Sequence, residues 1–304
     1  MKKIIVVAGA TGNLGARISK ALREKDATVH ALIRINSDAN KVKELESLGV
    51  KIVIVDYSSI QQLTDACKNA HCVISALSGL REVIIDGQKR LLNAVIAAGV
   101  KRFIPSDFSI DFTNLKEGEN RNLDLRREFH RYLDQTPIAA TTIFNGTFMD
   151  MLTDKIPMIL FKQKKLLYWG NADQSLDFTT MDNTAEFTAC VALEESSPRY
   201  YHIAGDQITP REMAKVGGGV TGHEYKLFRP GGLKLLNALI KTIRFFNPAK
   251  HELYPAWQGM QYMRDMMGGR AKVAIYDNDR YPEIKWTTVS DLLLKEVKHK
   301  TIDK

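Results

Sequence analysis

The 304-residue chain predicts an α/β protein: a doubly wound parallel sheet with a smaller, irregular C-terminal substrate region. Three observations predict it. Ile4–Ala8 is a short, continuous apolar run without alternation, the pattern of a strand covered on both faces. Strand and helix patterns then alternate through the first half, which calls for right-handed βαβ crossovers. Between the first strand and the first helix lies a loop with glycines at 9, 12 and 15.

Each element has a local reason. After the loop, Leu14, Ile18, Ala21 and Leu22 repeat at helical spacing. Val29–Ile33, Val50–Val55, Cys72–Ala76, Arg102–Ile104 and Ala140–Phe144 are the further strands expected here. Helices are expected over 38–48, 59–69, 80–98 and 121–135, the second opened by the capping box Ser59-x-x-Gln62. After Asn145 the pattern loosens. Leu166–Trp169 and Leu176–Thr180 flank Gly170-Asn171-Ala172-Asp173 and predict a hairpin. Asn183-Thr184-Ala185-Glu186 reads as a capping box opening a helix to Glu194, and Tyr200–Ala204 as a strand. Thr209-Pro210-Arg211-Glu212 is a helix start with proline at the first position. Gly217-Gly218-Gly219, Gly231-Gly232 and Gly268-Gly269 are expected to mark turns or hinges. The organisation expected is 1–150 for cofactor binding and 151–304 closing a substrate cleft, with some strands returning to the main sheet.

Composition excludes several classes. With 44% hydrophobic and 26% charged residues, disorder is not the main state. Nowhere do enough consecutive apolar residues occur to span a membrane. Met1-Lys2-Lys3 leads into an apolar run that Gly9, Gly12 and Gly15 cut too short for a signal peptide, so a cytoplasmic location is expected. Cys67, Cys72 and Cys190 are scattered and read as small buried side chains. The net charge of +8 divides as +4 in residues 1–150 and +4 in the rest, with no basic run. No nucleic-acid partner is expected, and a small anionic ligand suits the excess as well.

The loop Gly9-Ala10-Thr11-Gly12-Asn13-Leu14-Gly15 carries the most chemistry. Glycine permits the tight turn, lets the backbone approach a pyrophosphate and lets the helix pack on the strand. The helix N-terminus then offers N–H groups and partial positive charge to phosphates. A dinucleotide site is expected. An NAD site would place a carboxylate near the end of the second strand, on the ribose 2′-hydroxyl. Here that strand ends in Arg34, followed by Asn36, Ser37 and Lys41. A guanidinium suits a 2′-phosphate, so NADP(H) is favoured, with a solvated strand-end arginine as the other reading.

Several segments together resemble a known family. Gly9–Gly15, the strand ending in Arg34, Ile54-Val55-Asp56-Tyr57, Val73-Ile74-Ser75-Ala76 and the run Val100–Phe108 resemble the NmrA-like, isoflavone-reductase-like branch of the atypical short-chain dehydrogenases. Thr142–Asp150 and Tyr201–Asp206, with Thr209 and Glu212, extend the resemblance through the first two-thirds of the chain. It implies a Rossmann-type domain binding NADP(H). Gly12, Asn13 and Leu14 would lie at the pyrophosphate and Arg34 at the 2′-phosphate, with Gly9, Thr11, Gly15 and Lys41 as further cofactor-binding residues. Asp56 and Tyr57 would border the adenine, and Ala76 and Leu77 the middle of the cofactor. Ser106, Asp107 and Phe108, with Asn145, Gly146 and Thr147, would lie near the nicotinamide.

One residue departs from the pattern. Reductases of this family carry a lysine as general acid or base on the helix after the Pro-Ser-acidic-Phe step, and Arg126 stands at that place here. No lysine occurs between Lys116 and Lys155. Arginine stays protonated and cannot exchange a proton, so Arg126 is expected to anchor an anionic substrate instead. His130, one turn on, is the candidate acid, or else a solvated helix histidine. The pair Tyr281-Pro282-Glu283-Ile284-Lys285 has the spacing of ordinary short-chain dehydrogenases, but Pro282 spoils the helix it needs.

Leu233–Arg244 is amphipathic, which suits a pocket lid, a core helix or a membrane-surface helix, and Met260, Met263 and Met267 recur at helical spacing. Two functions stand. One is an NADPH-dependent reductase of a small aromatic, quinone-like or enone compound. The other is a non-catalytic NADP(H) sensor acting through a protein partner.

Overall fold

A computed structural model describes residues 2–153 and 155–302. They form two compact units interleaved along the chain: Met1–Phe108, Asn122–Phe144 and Met181–Tyr201 in the first, and Ser109–Arg121, Asn145–Thr180 and His202–Lys304 in the second. Segments 109–121 and 181–201 therefore each group with the unit on the far side of position 150.

In chain order the elements begin β1 (Ile4–Ala8), α1 (Asn13–Glu24), β2 (Thr28–Ile33), α2 (Ala39–Ser47), β3 (Lys51–Ile54), α3 (Ile60–Cys67) and β4 (Cys72–Ser75). They continue with α4 (Gln88–Ala97), β5 (Arg102–Ile104), α5 (Arg121–Leu133), β6 (Ala139–Ala140) and β7 (Thr142–Phe144). Strands β1 to β6 form one parallel sheet in the order β3-β2-β1-β4-β5-β6. This is the Rossmann-type order. The chain reverses direction across the sheet at β1, so the crevice beyond the carboxyl ends of β1 and β4 is where such sheets bind ligands. Val6 and Val7 of β1 are fully buried, as the unalternating apolar run predicts. Ile18 and Leu22 of α1 are also fully buried, each contributing about 1.5–3 kcal/mol. Ser59 caps α3 by accepting from Gln62 N–H, as its capping box predicts.

Two first-half expectations change. The strand expected over 140–144 divides at Thr141, whose N–H still bonds Phe103 O on β5, whereas Thr142 N–H bonds Arg199 O. The helix expected from residue 80 opens as a π-helical stretch, Glu82–Gly87. Its widened turn leaves Ile84 O to accept from the side chain of Gln88 at 3.0 Å. Cys67, Cys72 and Cys190 are buried, and burial pushes the Cys67 and Cys72 thiols up to about 12.

Beyond β7 come β8 (Thr147–Phe148), β9 (Ile159–Leu160), β10 (Lys165–Leu167), β11 (Leu176–Thr179), α6 (Met181–Leu193), β12 (Tyr200–His202) and β13 (Asp206–Ile208). Then follow α7 (Pro210–Thr221), β14 (Lys226–Phe228), α8 (Leu233–Phe246), α9 (Ala256–Met267) and α10 (Val289–Ile302). Helix α6 packs on α1 within the first unit. It starts two residues ahead of the expected capping box, so Asn183 and Thr184 are buried inside the helix. Asp182 in its first turn favours that start and pairs with Arg17. Arg102 closes its other end, donating to Val191 O at 3.0 Å, Ala192 O at 3.3 Å and Glu194 O at 2.5 Å.

In the second unit the expected hairpin does not form. β10 lies between β14 and β9, while β11 lies between β13 and β8 in another sheet. Gly217-Gly218-Gly219 does not break the chain either, because it lies inside α7. Thr209, Pro210 and Glu212 build the predicted capping box, and Gly222, at φ +70°, ends the helix. These end signals outweigh a cost of about 1 kcal/mol per internal glycine. Leu236 and Ile240 are the buried stripe of α8, while Leu235, Leu239, Phe245 and Phe246 are exposed. Met263 and Met267 of α9 are buried. Among the described residues no helix is long and apolar enough to cross a membrane.

Candidate functional site

The glycine turn follows β1 without a spare residue. Gly9 sits at φ +80°, and a Cβ there would stand 2.6 Å from Ala76 O on the turn after β4. A Cβ on Gly15 would stand 2.2 Å from Gly9 O. Both positions therefore exclude any side chain, and Gly12 N–H closes the turn on Gly9 O at 2.9 Å. Gly12 and Asn13 are exposed at the tip, with Thr11 and Leu14 half-buried beside them. Gly12 caps α1 with no side-chain hydrogen bond and no acidic residue in the first turn, so the helix end keeps its positive character. The backbone cradle that a pyrophosphate needs is present.

Arg34 is exposed at the end of β2, and among the described residues its guanidinium has no hydrogen bond or ion pair. Ser37 Oγ accepts from Arg34 N–H at 3.1 Å and holds the turn. Lys41 lies exposed in the first turn of α2, where Asp38 Oδ1 accepts from its N–H. Tyr57 reaches back to this corner: its hydroxyl donates to Leu32 O at 3.2 Å. Burial pushes that phenol up, while the Gly9 N–H and the Arg34 charge act in the other direction. The structure thus brings Gly9, Arg34 and Tyr57 together. Asp56 instead turns to Ser58 and braces its own loop.

At the end of β5, Ser106 Oγ donates to Leu77 O at 2.6 Å, and Ser106 N–H donates to Gln88 Oε1 at 3.0 Å. Gln88, fully buried, was not anticipated from the sequence; the π-helical turn that frees it has no signal there. Asp107 is also fully buried. Its Oδ2 accepts from His130 Nε2 at 2.5 Å and from Thr142 Oγ1 at 2.9 Å. Burial raises its carboxyl, but the hydrogen bonds from His130 and Thr142 and the Arg126 charge prevail and hold it below the usual carboxylate range. Phe108 is buried as well.

His130 is not a solvated helix residue. It is 6% exposed, and its Nδ1 lies 3.2 Å from Arg199 Nη2. Arginine can only donate, so Nδ1 accepts, and Nε2 carries the proton given to Asp107. Both ring nitrogens are engaged. Arg126 is half-buried on α5, its Nε donating to Ser106 O at 3.1 Å and its Nη1 to Asn122 O at 2.9 Å. Its Nη2 has no partner among the described residues.

Asn145, Gly146 and Thr147 belong to the second unit. Asn145 is fully buried, and neither its Oδ1 nor its Nδ2 has a partner among the described residues. Gly146, at φ +66°, packs so closely that a Cβ would stand 2.4 Å from Asp177 O. Thr147 Oγ1 donates to Met266 Sδ at 2.9 Å. Lys272 lies 2.5 Å from Asp177 Oδ1, and Tyr276 donates to Asp177 Oδ2 at 2.8 Å. None of these three was anticipated, because 95 or more residues separate the partners.

Known proteins are similar to this chain in sequence and in fold. Pinoresinol reductase 1 of Arabidopsis thaliana is 30% identical over 203 residues, covering 62% of this chain and 64% of that protein. The bifunctional pinoresinol-lariciresinol reductase of Linum usitatissimum is 25% identical over 309 residues, 95% of this chain and 97% of that one. Among solved structures, AtPrR2 with NADP+ and (+)pinoresinol superposes with a TM-score of 0.81 at 22% identity, covering 97% of this chain and 99% of that one. The NmrA-like family model matches residues 1–261, and the chain belongs to the NmrA-like family.

Proposed function

We propose that this chain is an NADPH-dependent reductase of a small aromatic, quinone-like or enone substrate. The observation that carries the reading is the exposed Arg34 guanidinium at the end of β2, without a partner among the described residues, beside a glycine turn that no side chain can enter. A bound nicotinamide supplies the hydride. The backbone from Gly9 to Gly15 cradles the pyrophosphate, and Arg34, with Lys41, holds the 2′-phosphate by charge-assisted bonds. Tyr57 and Asp56 border the adenine, and Ala76 and Leu77 the middle. Ser106 to Phe108 border the nicotinamide. His130 and Arg199 position Asp107, which keeps the turn after β5 in place. Arg126, with Nη2 open, anchors an anionic group of the substrate. The names of two relatives, pinoresinol reductase 1 and bifunctional pinoresinol-lariciresinol reductase, support the reading.

The test is fluorescence titration with NADPH and NADH, followed by NADPH oxidation against a panel of quinones, aromatic aldehydes and enones. Tighter binding of NADPH and turnover of at least one compound are expected. Tighter NADH binding would sink the cofactor assignment. NADPH binding with no turnover would favour the sensor.

A further inference from the structure

We propose that helix α8, with the edge strand β14 before it, is a docking surface for an anionic lipid membrane, into which Phe245 and Phe246 insert. The inference is independent of the reductase reading and stands on the second unit alone.

The charge is concentrated there. Residues 225–251 hold six Lys/Arg and no Asp/Glu, and residues 155–172 hold four lysines and no acid. These ten cations exceed the chain's net charge of +8, so the rest of the chain is slightly acidic. The first stretch runs through β14 and the second through β10, and the two strands pair in parallel with Lys226 opposite Lys165, both exposed. Before α8, Gly231 O accepts from Gly170 N–H at 3.1 Å, which ties the start of the helix to the chain just past β10. Among the described residues none of the ten cations is ion-paired to a carboxylate.

Helix α8 presents an apolar face within that charge. Its buried residues Leu236 and Ile240 face inward, and the helix packs on α9. There Arg264 donates to Asn237 Oδ1 at 3.1 Å, and the Arg244 guanidinium lies 5.1 Å from the Trp257 ring centre. At about 3.6 residues per turn, the other side of α8 brings Leu235, Leu239 and Phe246 into one row and Lys234, Lys241 and Phe245 into the next. All six are exposed, Phe245 and Phe246 to 80% each. Phe228 of β14 is exposed as well, its ring centre 5.1 Å from Lys165 Nζ.

The occupant follows from this combination. A second copy of the chain would set like charge against like. A nucleic-acid backbone would neutralise the cations but leave the leucine row in water. An anionic bilayer meets both needs: its headgroups attract the lysines, whose stems lie along the apolar row, while the leucines and phenylalanines reach the acyl boundary.

The test is co-sedimentation of the full chain with vesicles of phosphatidylcholine, with and without about 30% phosphatidylserine. The native chain should partition at least about 10-fold more strongly onto the phosphatidylserine vesicles, and about 0.5 M salt should remove the preference. Lys234→Gln with Lys241→Gln should weaken binding about 30-fold, and Phe245→Ala with Phe246→Ala about 10-fold or more. Because these side chains are exposed, both double variants should keep the native urea midpoint. Phe245→Trp should add a tryptophan signal that brominated acyl chains quench on phosphatidylserine vesicles. Binding no stronger with phosphatidylserine than without it overturns the proposal, as does a loss under about 2-fold in the phenylalanine double variant. A native dimer that the same variant splits in sedimentation would give the face to a second copy and overturn it too.

Discussion

Asp107→Asn tests whether a buried carboxylate organises the end of β5. Asp107 is fully buried, and its Oδ2 accepts from His130 at 2.5 Å and from Thr142 at 2.9 Å. A hydrogen bond to a charged group contributes about 1.5–3 kcal/mol. Asparagine keeps one acceptor oxygen but loses the charge that faces His130 and Arg126. The expected loss is about 2–4 kcal/mol at pH 7, or roughly 4–16 °C in thermal midpoint for a chain of this size. The pH dependence has a definite sign. Because the folded carboxyl is held below its usual range, its contribution is present above the unfolded value of about 3.9 and is lost as pH falls through the folded one. Urea denaturation followed by tryptophan fluorescence should give a native–variant gap that is flat down to about pH 5 and narrows below about pH 4. A gap under about 1 kcal/mol at pH 7, or one that widens in acid, would refute the reasoning.

Arg34→Ala should raise the Kd for NADPH by about 10–100-fold and leave NADH within 3-fold, because only the 2′-phosphate is lost as a partner. Equal losses for both cofactors in a fluorescence titration would count against the assignment. Gly15→Ala should abolish NADPH binding in the same titration, since its Cβ would stand 2.2 Å from Gly9 O. Arg102→Met removes donors to Val191 O, Ala192 O and Glu194 O at the end of α6 and should lower stability by about 2–4 kcal/mol in urea. Gly219→Ala should instead stabilise by about 0.5–1 kcal/mol by the same measurement, since it lies inside α7 with nothing within 4 Å of the new Cβ.

The sequence by itself determined the Rossmann-type half. Its signals are local: an apolar run makes β1, three glycines spaced by three make the turn, and a capping box opens α3. Arg34 was legible for the same reason, standing one residue past its strand. The second half was misread where short-range signals were weak. Gly217-Gly218-Gly219 looked like a break, yet the end signals at Thr209 and Gly222 carry α7 through it. β10 and β11 looked like one hairpin, yet each found partners in a different sheet, a choice made by packing faces and not by the turn between them. Only the tertiary structure decided which side chains meet. Arg199 reaches His130 across 69 residues, and Lys272 reaches Asp177 across 95. Backbone conformation follows from neighbours in the chain, whereas a buried charge is paired with whatever the fold carries to it.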